Sequence, residues 1–109
     1  MERFVKGDLV VLSYPSFDLT TAKKRPAVVI ATTKKGVILC PVTTKIIPQI
    51  EQINLTMKDL TEGRLKMDSQ IIPSWLMTFE YSRIFYKLGS INNSKLNELI
   101  EAVCKLIRQ

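Results

Sequence analysis

The sequence predicts a mainly β, α+β domain spanning residues 1–109, in which a curved sheet carries one C-terminal helix. Three observations predict it. Strand-length apolar runs recur at Leu9–Tyr14, Ala27–Thr32 and Val37–Thr44. Turn chemistry separates them, with Lys6-Gly7-Asp8 before the first and Lys34-Lys35-Gly36 between the second and third. Helical periodicity is strong only near the end, where Leu96, Leu99, Ile100, Val103, Leu106 and Ile107 recur at three- and four-residue spacing.

The first strand ends at Pro15. The stretch from Ser16 to Lys24 is polar and irregular and reads as a long loop. Pro26 restricts Arg25 to extended geometry and launches the second strand. Gly36 is free to take the positive φ that a tight hairpin favours. Pro41 cannot donate to a ladder, so the third strand lies at an edge or carries a bulge there. Because the second and third strands are almost continuously apolar, both faces of the sheet need cover, as in a small curved barrel.

Beyond them, Lys45 to Gln52 reads as a second loop around Pro48. Glu51 to Leu55 alternates polar and apolar and reads as a half-buried strand. A turn at Lys58–Gly63 precedes Arg64–Ile72, which reads as a strand pair or one bent strand. Ser82–Leu88 is the last strand, closed by Gly89. Asn92 is then a suitable N-cap, Ile91 and Leu96 form a hydrophobic staple, and Lys105 and Arg108 sit where the helix dipole favours cations.

Composition narrows the function classes. The 109 residues suffice for one domain with a modest core, and 46% apolar with 24% charged residues is ordinary for a soluble protein. The formal charge of +6 favours an acidic partner such as nucleic acid, an anionic surface or an acidic peptide, though charge for solubility alone explains it equally well. Histidine is absent, which removes imidazole chemistry and argues against a zinc or haem site; no metal and no cofactor are expected. Cys40 and Cys104 stand far apart in apolar runs and read as buried thiols of a reducing cytoplasm. No stretch approaches 18 apolar residues and no signal-peptide core follows Met1, so a cytoplasmic protein without a membrane association is expected.

Four groups of residues carry candidate chemistry. Lys23, Lys24 and Arg25 form a basic loop able to clamp a phosphate, or equally a solvated cationic loop. Thr43 and Thr44 end an apolar strand, where their hydroxyls can orient a phosphate or ribose, although strand propensity alone also explains them. Asp68, with Ser69 and Gln70, makes a polar break that offers a general base or, more simply, a turn bonded to its own backbone. Phe17, Tyr14 and Trp75 can stack on bases or pack in the core, and Phe17 is the one placed in a loop.

The order of these pieces resembles the MazF/PemK family of ribonuclease toxins. The resemblance rests on Gly7-Asp8-Leu9-Val10, Tyr14-Pro15, Phe17-Asp18-Leu19, Lys24-Arg25-Pro26-Ala27-Val28-Val29 and Cys40-Pro41-Val42-Thr43. It continues in Thr78-Phe79-Glu80-Tyr81-Ser82-Arg83-Ile84 and Lys87-Leu88-Gly89, and so covers nearly the whole chain. It implies an SH3-like β-barrel with a C-terminal helix, acting as a homodimer. It also implies metal-independent cleavage of single-stranded RNA through a 2′,3′-cyclic phosphate, and a cognate antitoxin whose acidic, disordered segment covers the RNA groove. Carried over by position, Arg25 is the arginine that stabilises the phosphorane-like transition state, and Thr43 contacts the scissile phosphate. Phe17, Lys23, Lys24, Thr44 and Ser74 fall among the RNA-binding positions.

The chain departs from the family in one segment. Many members carry an arginine and an acidic residue shortly before a Thr-x-Asp-x-Ser-Arg segment. Counted back from Thr78, those positions are Ile72 and Ser74, and an alternative register that places Lys66 and Asp68 there breaks the anchor at Ser82-Arg83. Two other readings therefore stand beside the toxin ribonuclease: an RNA-binding module of the same fold without cutting, and a gyrase-poisoning toxin of the CcdB type. The second would act through its C-terminus, and Lys105 to Gln109 lacks the apolar-aromatic tip expected of one.

Overall fold

The valine-rich runs pair as neighbours: β1 (Asp8–Pro15), β2 (Ala22–Thr32) and β3 (Gly36–Thr43) form the middle of an antiparallel sheet. The structure, a computed structural model, describes residues 3–16 and 20–109. It adds β4 (Ile53–Leu55), β5 (Leu60–Gly63), β6 (Ser69–Ile71), β7 (Met77–Glu80), β8 (Ile84–Ile91) and α1 (Asn93–Arg108). Their order across the sheet is β4-β6-β3-β2-β1-β8-β5, and β7 branches off β3. The curled, half-barrel shape and the C-terminal helix agree with the predicted architecture.

Strand alternation divides the core in two. Leu9, Val28 and Cys40 face α1, where they meet Leu99 and Val103. Val10, Val29 and Leu39 face the other way and pack with Phe4, Met77 and Phe79. Continuous apolar runs do here mean a sheet covered on both faces. Pro41 lies where β3 changes partner, from β7 at Gly36–Leu39 to β6 at Val42–Thr43. Its missing donor therefore costs no ladder bond on that side, and its carbonyl accepts the Ile72 N–H at 3.0 Å.

Several elements differ from the sequence reading. β2 begins at Ala22, so Lys23, Lys24 and Arg25 belong to a strand rather than a loop, opposite Tyr14, Ser13 and Leu12. Their side chains are polar because this half of β2 has an open edge, while β1 still offers its backbone a full partner. Gly36 forms the hairpin without a positive φ. It is glycine because a β-carbon there would overlap the Phe79 carbonyl of β7. Gly89 likewise continues β8 instead of closing it, since only a bare α-carbon fits against the Glu62 carbonyl.

Of the stretch Arg64–Ile72 only Ser69–Ile71 pairs, and Arg64–Asp68 is not a strand. The Lys58–Gly63 turn is a single helical turn, Met57–Asp59, followed by β5. On α1 the N-cap stands as predicted, with Asn92 Oδ1 accepting the Lys95 N–H at 2.8 Å. The apolar stripe is buried only through Val103. Leu106 and Ile107 are exposed, so core contact ends a turn before the helix does.

A candidate nucleic-acid cleft between β2 and β3

β2 and β3 are paired from Ala27 and Pro41 up to the hairpin, and not below. Below that point β2 continues along β1 to Ala22, while β3 bends away to β6. The two strands splay and leave a cleft of about 390 Å³. Lys23, Arg25 and Pro26 line it from the β2 side; Val42, Thr43, Thr44 and Lys45 line it from the β3 side. Ser16 and Trp75 close its base.

Six sequence-predicted residues thus line it: Lys23, Lys24, Arg25, Thr43, Thr44 and Trp75. Arg25 is half-buried and shares a face of the sheet with Tyr14 and Leu12. Thr43 Oγ1 accepts the Lys45 N–H at 3.2 Å, which leaves its own hydrogen free to point at a ligand. Lys24 borders the cleft, but alternation turns its ammonium to the opposite face, 5.3 Å from the Tyr86 ring centroid in a cation–π contact.

Other candidate residues stand elsewhere. Tyr14 is a core residue rather than a stacking platform: it is buried, and its ring lies 5.3 Å from that of Phe79. Its hydroxyl donates to the Trp75 carbonyl at 2.6 Å and so props the base of the cleft. Ser74 is exposed in a neighbouring hollow beside Pro15 and Trp75, not in the cleft. Asp68 is exposed just before β6 and does not line the cleft, so it is not placed to act there as a general base. Ile72 is completely buried, and Lys66 is exposed elsewhere; neither register brings a further charge to this place. Phe17 lies outside the described residues.

Sequence reasoning passed over Lys45, although it directly follows Thr43 and Thr44, whereas Trp75, one of its three candidate stacking residues, does line the cleft. Among the described residues four cations border the cleft and no carboxylate does. None of the four pairs with a carboxylate of the described residues, whereas Lys87 and Lys95 elsewhere are paired with Asp8, Glu62, Asp59 and Glu98. Unneutralised cations in a concave site concentrate positive potential there. A half-buried guanidinium facing a hydroxyl is a receptacle for a phosphodiester.

Residues 5–107 match the family described as PemK-like, MazF-like toxin of type II toxin–antitoxin system. The chain belongs to it. This PemK/MazF-like toxin matches no curated protein sequence. Its fold is shared by MazE–MazF from Deinococcus radiodurans at a TM-score of 0.76 and 18% identity, covering 100% of this chain and 99% of that one. A mycobacterial endoribonuclease in complex with its cognate antitoxin follows at 0.70 and 12% identity, covering 98% and 95%. The Mycobacterium tuberculosis toxin MazF-mt6 has a TM-score of 0.65 at 16% identity, covering 91% of this chain and 96% of that one.

Beneath the cleft, burial pushes the Cys40 thiol from 9.0 up to about 12. Burial also raises the Tyr14 phenol well above 10.0, nearby Cys40 raises it further, and the Arg25 guanidinium partly offsets both. In the unfolded chain both groups ionise at their ordinary values, while the folded protein keeps them protonated. Their stabilisation is therefore complete below about pH 9 and is lost as pH rises through the window up to about 12. Thermal melts from pH 7 to 11 should show a steep alkaline loss that a Cys40→Ala, Tyr14→Phe double variant flattens. An equally steep loss in that variant would assign it to other groups.

Proposed function

We propose that this toxin is a sequence-specific endoribonuclease that cleaves single-stranded RNA without a metal, leaving a 2′,3′-cyclic phosphate. One observation carries the reading: Arg25 and Thr43 face each other across a cleft whose cations have no carboxylate partner among the described residues. The 2′-oxygen attacks phosphorus, and negative charge builds on the phosphoryl oxygens. Arg25 meets that charge with its fixed fork of donors, and the Thr43 hydroxyl donates one more hydrogen bond. Lys23 and Thr44 hold the flanking backbone, and half-buried Trp75 lines the cleft beside them. The same unpaired cations fit the acidic segment of a cognate antitoxin, which would block the cleft by occupying it. The toxin works as a homodimer in the cytoplasm, where messenger RNA is available.

Incubation of the protein with a long single-stranded RNA in EDTA tests this directly. Discrete fragments ending in cyclic phosphate are expected. One feature favours a second reading, an RNA-binding module that no longer cuts: the cleft has no histidine and, among the described residues, no acid to serve as general base. Intact RNA that nonetheless binds, with an affinity falling steeply between about 50 and 200 mM salt, would select that module.

A further inference from the structure

We infer that Lys45 is a second catalytic cation, which binds the scissile phosphate from the wall opposite Arg25; this rests on the ribonuclease reading above. Arg25 and Lys23 both rise from β2, so the charge they supply reaches a bound phosphate from one side. The transition state carries its charge on oxygens that point both ways, and from the β3 side the Thr43 hydroxyl meets that charge only with a neutral hydrogen bond. On the β3 side the other lining groups are hydroxyl or apolar, and Lys45 is the cation there.

Lys45 lies in no helix or strand, yet its backbone is held on both sides. Its N–H donates to Thr43 Oγ1 at 3.2 Å. Its carbonyl accepts from Gln52 Nε2 at 2.8 Å, and Gln52 Oε1 takes the Ile47 N–H at 2.8 Å. The Gln52 amide thus stands in for a neighbouring strand and clasps residues 45–47, making it a positioning residue for Lys45. No carboxylate among the described residues pairs with the Lys45 ammonium. A lysine fixed at its backbone, next to the threonine that contacts the phosphate and without a partner of its own, is organised for an anion that arrives with the substrate.

In the reaction the bond from the 2′-oxygen to phosphorus forms as the bond from phosphorus to the 5′-oxygen breaks. The 2′ proton leaves to water, and the 5′-oxygen is protonated from water. Lys45 supplies charge to the phosphoryl oxygens and keeps its proton throughout.

Single-turnover cleavage by wild type, Lys45→Ala, Lys45→Arg and Gln52→Leu tests this. Binding of an RNA with a 2′-deoxy residue at the cleaved position is measured in parallel. Lys45→Ala should cleave about 100-fold more slowly, while affinity for the uncleavable RNA changes by about threefold or less. Lys45→Arg should recover most of the rate, and Gln52→Leu should fall between. If Lys45→Ala cleaves as fast as wild type, or loses affinity and rate equally, Lys45 is not a catalytic cation. Intact RNA with the wild type itself would overturn the ribonuclease reading, and this inference with it.

Discussion

Arg25→Ala is expected to abolish RNA cleavage, a loss of at least about 10²–10³-fold, while leaving the protein folded. The guanidinium is half-buried on β2 and is the cleft's only fork-shaped donor group among the described residues. Its removal costs little stability because no carboxylate among the described residues is left uncompensated, so the change should stay within about 0.5 kcal/mol. Arg25→Lys keeps the charge and loses the two-pronged geometry, and should recover only part of the rate. Single-turnover rates beside thermal melts decide the matter. Undiminished cleavage by Arg25→Ala would remove Arg25 from the mechanism, whereas a variant that melts far below wild type would show a structural role instead.

Leu99→Ala should be the most damaging of the simple truncations on α1, at about 2–5 kcal/mol. Leu99 is fully buried between the helix and the sheet, among Leu9, Val28 and Cys40. The helix has few other anchors: Val103 is buried and Leu96 is partly so, while Leu106 and Ile107 face solvent. For a domain whose whole stability is on the order of 5–15 kcal/mol, losing the main anchor threatens folding at body temperature. Ile107→Ser, seven-tenths exposed, belongs to the same sequence stripe and should change stability by less than about 0.5 kcal/mol. Urea unfolding of both variants separates the two. A loss under about 1 kcal/mol for Leu99→Ala would mean that the helix adds little to the core.

That pair also shows where sequence pattern stops being informative. Leu99 and Ile107 are indistinguishable by spacing, yet one is buried and the other exposed, because the helix outlasts the surface it packs on. The choice between the two registers, Ile72 with Ser74 or Lys66 with Asp68, is similar. Counting along the chain could not place a charge near Arg25, and the structure keeps all four out of the cleft by burial or by direction of the chain.

Local chemistry was enough for the features that depend on neighbours in sequence. The continuous apolar runs called for a sheet covered on both faces, and alternation then split Leu9 from Val10 and Val28 from Val29. Asn92 capped the helix because its side chain reaches an amide only three residues away. The family, too, was legible from short motifs in order. What only the tertiary structure decided was the cleft. It exists because β3 leaves β2 at Pro41 for a partner about thirty residues later in the chain, and that switch brings Lys45 and Trp75 to Arg25. It also made a strand of the basic segment, since an extended backbone needs only one full partner, and β1 provides it. Such pairings are set by contacts distant in sequence, and local propensity carries no record of them.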